Sequence, residues 1–99
     1  MNANIYILYV IAYYSSMDTI ARTPGQLGAG IRRYRRQKGL TQGGLGDLMH
    51  ARQATVSKLE SGEPATQLRI FMDALTALDL ELVIRPRTKL STQDIEELF

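Results

Sequence analysis

Seven consecutive residues, Arg52-Gln53-Ala54-Thr55-Val56-Ser57-Lys58, set two cations, an amide and two hydroxyls beside one another. A glutamine amide can bond the N6 and N7 atoms of adenine together, and the methyl groups of alanine and threonine can meet a thymine methyl. Arginine, lysine and hydroxyl groups bond phosphate oxygens and sugars. Gln53 is therefore the candidate base reader, with Ala54 and Thr55 beside it. Thr55 and Ser57 suit either a phosphate or the preceding turn of their own helix. Arg52 and Lys58 are read as phosphate contacts. Gln42 can donate to a phosphate from a helix N-terminus, where the helix dipole also favours an anion. Arg33 and Arg36 are candidates for the flanking backbone, against the plainer reading of a solvated face. Glu60, an acid close to this surface, is read as structural and paired with an arginine inside the protein.

Catalytic chemistry has no comparable support. The chain has no cysteine and one histidine, His50, with no carboxylate cluster around it. Disulfides and thiolate–metal sites are excluded, and a metal or catalytic role for His50 is not expected. Gly25, Gly28 and Gly30 follow no strand, and Gly43, Gly44 and Gly46 lack the Lys-Ser/Thr of a phosphate loop. The expectation is a non-enzyme with no cofactor and no metal.

The elements that must carry these side chains follow from periodicity and caps. Thr41-Gln42 opens a short helix over about 42–49, with Leu45, Leu48 and Met49 as its apolar stripe. A break at His50-Ala51-Arg52 leads to a second short helix over about 53–61, carrying Val56 and Leu59 and ending at Gly62. Two short amphipathic helices joined by so tight a turn form a helix-turn-helix pattern, whose second helix enters the DNA major groove. Ahead of them, Thr23 is an N-cap and Pro24 suits the first helical position. Leu27, Ile31 and Tyr34 make one stripe, Arg32, Arg33, Arg35, Arg36 and Lys38 occupy much of the remaining surface, and Gly39 ends the helix. A fourth helix over about 67–78, capped by Thr66, has Leu68, Phe71, Leu75 and Leu78 as its stripe.

The period then changes. Leu80, Leu82 and Ile84 alternate with charged neighbours around Val83, which reads as a half-buried strand ended by Pro86. A lone strand cannot satisfy its own backbone. The simplest partner is the same strand of a second copy, so Leu80, Leu82, Val83 and Ile84 are assigned to a homodimer interface across a two-fold axis. The segment 91–99 reads as a short acidic helix or a loose tail. At the other end, 5–14 is an uncharged apolar run of 10 residues. It is shorter than the roughly 20 residues of a membrane helix. Its β-branched and aromatic content suits a strand or extended segment better than a helix. Met17 is an alternative start, with 1–16 as upstream sequence; N-terminal mass analysis decides between the two.

The chain has 99 residues and a net charge of +2, enough for one small domain. The charge is unevenly divided. From Arg22 to Lys58 there are eight Lys/Arg against one acid, +7; elsewhere there are four against nine, −5. Basic charge thus concentrates around the helix-turn-helix, as binding to a polyanion requires. The organisation expected is an extension at 1–21, a helix-turn-helix domain at 22–79, a dimerisation strand at 80–86 and a tail at 87–99. The fold class expected is mainly α, with four to five helices and one strand pairing across a dimer.

Residues 40–62, LTQGGLGDLMHARQATVSKLESG, resemble the Xre/Cro/lambda-repressor helix-turn-helix family. Leu40-Thr41-Gln42, Leu45, Val56, Ser57, Leu59, Glu60 and Gly62 carry the match. Over about 20–86 the chain is similar to the HipB-like antitoxins. There the matching pieces are Thr23-Pro24-Gly25-Gln26-Leu27, Gln53-Ala54-Thr55, Leu68 to Phe71 and Leu80-Glu81-Leu82. That resemblance implies a cytoplasmic, nucleoid-associated autorepressor with three partners: double-stranded operator DNA, a second copy of itself and a HipA-like kinase toxin. It also implies C-terminal strands paired into a dimer lid. The alternatives are a repressor of the same fold without a toxin, or a protein-interaction module that has lost DNA binding. Three residues depart from the family pattern: Gly46 replaces a small alanine, His50 a turn glycine, and Arg52 a Ser/Thr cap.

Overall fold

The computed structural model describes residues 4–9 and 18–87. Residues 4–9 are helical (α1), and four further helices follow: α2 (Pro24–Gln37), α3 (Gln42–Met49), α4 (Gln53–Glu60) and α5 (Leu68–Ala77). The fold is mainly α. No helix among the described residues is long and apolar enough to cross a membrane.

Local sequence explains where these helices begin and end. The Thr23 hydroxyl accepts from the Gln26 N–H, while the Gln26 side chain reaches back to the Arg22 N–H at 2.6 Å. Two donors at the open end of α2 are thereby satisfied together. Thr41 caps α3 in the same way by accepting from Gly44 N–H. Each helix from α2 to α5 ends with a residue of positive φ: Gly39, His50, Gly62 and Asp79. The N–H that follows each of them bonds back five residues, as in Leu40 to Arg35 and Ala51 to Gly46. These are Schellman closures, which satisfy the last carbonyls of a helix.

The core joins all four of these helices through Ile31, Leu45, Met49, Val56, Leu59, Phe71, Ala74, Leu75 and Leu78. Contact between α2 and α4 is nearly backbone to backbone. A β-carbon at Gly28 would lie 2.5 Å from the Glu60 carbonyl oxygen, and one at Gly62 would lie 2.6 Å from Gly25 Cα. Only glycine allows that approach, and it holds the end of α4 against the first half of α2.

The structure departs from the sequence reading in several places. Leu48 is 56 % exposed and Leu68 68 % exposed, so neither belongs to the buried stripe assigned to it. Both lie at the edge of an apolar stripe, where periodicity cannot say how far the neighbouring helix reaches. Gln67, not Thr66, is the residue before α5, and it makes no side-chain cap. Arg35, read as one of five surface cations, is buried. Residues 4–9 are helical rather than extended. A helix satisfies its backbone internally, whereas a strand there would need a partner. The side chains from Ile5 to Tyr9 are exposed.

Residues 80–87 form neither helix nor ladder, as expected of a segment with no strand beside it among the described residues. Leu80 packs against the core, whereas Leu82, Val83 and Ile84 are exposed, Ile84 at 93 %. Arg85 reaches Asp18 at 4.0 Å, which places this segment beside the entry to α2. The tail at 91–99 and the alternative start at Met17 lie outside the described residues.

Candidate nucleic-acid interface

The turn between α3 and α4 places the candidate reading helix. His50 takes φ 56° and ψ 40°, the left-handed conformation that a glycine would adopt more readily. Its N–H bonds to Asp47 O and the next N–H to Gly46 O at 2.8 Å. Close packing beneath the turn restricts Gly46, where a β-carbon would lie 2.7 Å from Ala51 O. Arg52 then precedes α4 in an extended conformation and makes no side-chain cap.

Val56, Leu59 and Glu60 anchor α4 from below. Gln53, Ala54, Ser57 and Lys58 are exposed. At i, i+1, i+4 and i+5 they form one contiguous helical face, with Arg52 just ahead of it. Thr55 is half-buried and lies off that face. With Lys58, Thr66, Gln67 and Ile70 it lines an open pocket of about 330 Å³ between α4 and the loop before α5. Arg33 and Arg36 are exposed on α2, and the Arg33 guanidinium carbon lies 5.9 Å from the Tyr34 ring centroid. Among the described residues, no group of histidine, cysteine or carboxylate side chains could hold a metal.

A buried ion pair supports this surface. Arg35 Nε donates to Glu60 Oε2 at 2.6 Å and Nη2 donates to Oε1 at 3.0 Å, a bidentate pair. Arg35 Nη1 donates to the Leu40 carbonyl at 2.8 Å. Gln42 Nε2 completes the network by donating to Glu60 Oε1 at 3.3 Å. The Glu60 hydrogen bonds hold the Arg35 guanidinium above its already high ordinary pKa, against the opposing effect of burial. Glu60 is thus paired inside the protein, as its sequence position suggested. Its partner could have been recognised as well. Leu27, Ile31 and Arg35 recur at i, i+4 and i+8, so Arg35 lies on the apolar stripe itself.

Sequence and structure comparisons agree with this geometry. A family model described as a helix-turn-helix domain matches residues 26–87, more than half of the chain. No curated protein matches. The chain resembles one in the HipA-HipB-O2-O3 complex at 28% identity and a TM-score of 0.67, covering 72% of this chain and 100% of that one. The same values hold for a chain of the HipB-O4 20mer complex and for a structure described as MDT protein. The chain belongs to the helix-turn-helix domain family.

Proposed function

We propose that this protein is a homodimeric, sequence-specific DNA-binding antitoxin that represses its own operon and neutralises a HipA-type kinase toxin. The observation that carries the DNA reading is the exposed face of α4, where Gln53, Ala54, Ser57 and Lys58 stand together above the anchors Val56 and Leu59. In this reading Gln53 reads bases with Ala54 beside it, while Thr55, off that face, is left to a phosphate or to the preceding turn of its own helix. Arg52, Ser57, Lys58 and Gln42 hold phosphates, and Arg33 and Arg36 extend that contact along the backbone. Leu80, Leu82, Val83 and Ile84 pair with the same residues of a second copy, which spaces two α4 helices for two half-sites. Likeness to chains from HipB complexes supports the operator and toxin assignments. The domain, on this proposal, spans 22–79, with 80–86 as the dimer strand, and acts on the nucleoid.

The test is fluorescence anisotropy with a duplex from the region immediately upstream of its own coding sequence, at 50 and 200 mM salt. A protein making several phosphate contacts loses affinity by orders of magnitude over that range. Absence of salt-sensitive binding would leave only the protein-interaction reading. Co-purification with the product of the adjacent gene separates the antitoxin from a repressor that has no toxin.

A further inference from the structure

Glu60 lies just beyond the basic segment 22–58, is buried, and still accepts from two different side chains at one oxygen. Its Oε1 lies 3.0 Å from Arg35 Nη2 and 3.3 Å from Gln42 Nε2. Arg35 alone would be matched by the bidentate pair, so the bond to Gln42 is additional. An ionised carboxylate can only accept hydrogen bonds. Gln42 must therefore turn its nitrogen, not its oxygen, toward Glu60. An amide nitrogen has two hydrogens in a fixed plane. Once one is given to Glu60, the direction of the other is set by the plane of the group. Gln42 is only half-buried and is the first residue of α3, so its amide is within reach of solvent at the open end of that helix.

We propose that Glu60, held by Arg35, is a positioning residue for the Gln42 amide, fixing its second N–H donor for a DNA phosphate before DNA arrives. The proposal rests on the DNA reading above. It adds that the last residue of α4 acts on DNA through the first residue of α3. Arg35 ties the same carboxylate to α2 and to the Leu40 carbonyl ahead of α3. A side chain ordered in advance loses less conformational freedom on binding.

A double-mutant cycle tests this, with Gln42→Ala and Glu60→Gln measured for affinity to the upstream duplex well below the melting temperature of each variant. With Gln42 present, Glu60→Gln should weaken binding by roughly 2- to 10-fold, the cost of ordering one long side chain. In the Gln42→Ala background the same change should leave affinity unaltered. Equal losses in both backgrounds would overturn the proposal, because a purely structural Glu60 acts whether or not Gln42 is there. Should Glu60→Gln fail to fold, the wild-type chain supplies the second readout through side-chain amide order parameters from NMR. The Gln42 NH₂ group should be ordered, above about 0.6, while the exposed Gln37 and Gln53 fall below it. A Gln42 amide as mobile as those two would overturn the proposal. Absence of DNA binding by the wild-type chain would remove the phosphate end of it, and a rigid Gln42 amide would still establish the Glu60 end.

Discussion

The helix-turn-helix and the segment at 80–87 solve the same problem in opposite ways. Each must satisfy backbone groups and bury apolar side chains in a small chain. Around α3 and α4 both are achieved locally. Thr41 caps α3, Schellman bonds close the C-terminal ends of both helices, the stripes share one core, and no buried side-chain nitrogen or oxygen lacks a partner among the described residues. At 80–87 Leu80 alone joins the core, and Leu82, Val83 and Ile84 face outward. One region is complete within the protomer, whereas the other has the composition of an interface and, among the described residues, leaves Leu82, Val83 and Ile84 exposed. The contrast teaches that, on the proposed function, the α4 face is held within one copy while its spacing on DNA would be set by two.

The largest test of that self-sufficiency is Arg35→Ala. It leaves the Glu60 carboxylate buried without its guanidinium, and breaking a buried pair from one side costs about 3–5 kcal/mol. Urea or thermal unfolding should show a loss of that size, large enough to unfold a marginal domain of this length. A loss below about 1 kcal/mol would mean that the pair is no keystone.

Ile84→Lys probes the other region. Ile84 is 93 % exposed in the single chain, so the protomer loses no packing through this change. A dimer that buries it loses about 1.5–3 kcal/mol per copy, with a buried charge added. Sedimentation should show a dimer converted to monomers that retain helical circular dichroism. Melting temperature should depend on concentration in the wild type and not in the variant. A variant that still sediments as a dimer would remove 80–87 from the interface.

Gly28→Ala comes next. Its β-carbon would meet the Glu60 and Leu59 carbonyls at 2.5 and 2.6 Å, and both are backbone atoms that cannot rotate away. Separating α2 from α4 should cost about 1–3 kcal/mol in unfolding free energy, as overpacking usually does. Unchanged stability would show that the two helices slide freely.

Which parts were legible in the sequence follows from how local their causes are. Thr23, Thr41, Gly39 and the positive φ of His50 depend on neighbours within a few residues, and each was readable. The bounds of α3 are those expected, and α4 differs from its expected span by one residue. The exposure of Leu48 and Leu68 depends on where another helix ends, which periodicity does not contain. Burial of Arg35 needed two stripes read together, one passing through Arg35 and the other through Val56, Leu59 and Glu60. The apolar run near the N-terminus was ambiguous because short uncharged segments fit a helix or a strand equally well. Among candidate site residues, Gln53, Ala54, Ser57 and Lys58 share the exposed face of α4, but Thr55, grouped with them in the sequence, lies off it, and the bond joining Gln42 to Glu60 required the third dimension.

Glycines in α3 provide the finest test, because one substitution should act with opposite signs within a single helix. Alanine is favoured over glycine by up to about 1 kcal/mol in a helix. At Gly43 the nearest atom to an added β-carbon is the Thr41 hydroxyl at 3.9 Å, an ordinary contact. Gly43→Ala should therefore raise stability by a few tenths to about 1 kcal/mol. At Gly46 the same methyl would approach Ala51 O to 2.7 Å, and that carbonyl belongs to the turn that aims α4. The family resemblance favours an alanine here, and propensity agrees with it, but the close approach opposes both. Moving the turn should outweigh the gain, so Gly46→Ala should lower the melting temperature and weaken DNA binding together. If instead it stabilises the protein with affinity unchanged, the turn has slack and α4 is not held from beneath. The helix-turn-helix would then be less self-contained than its hydrogen bonds imply, and closer in character to the segment at 80–87.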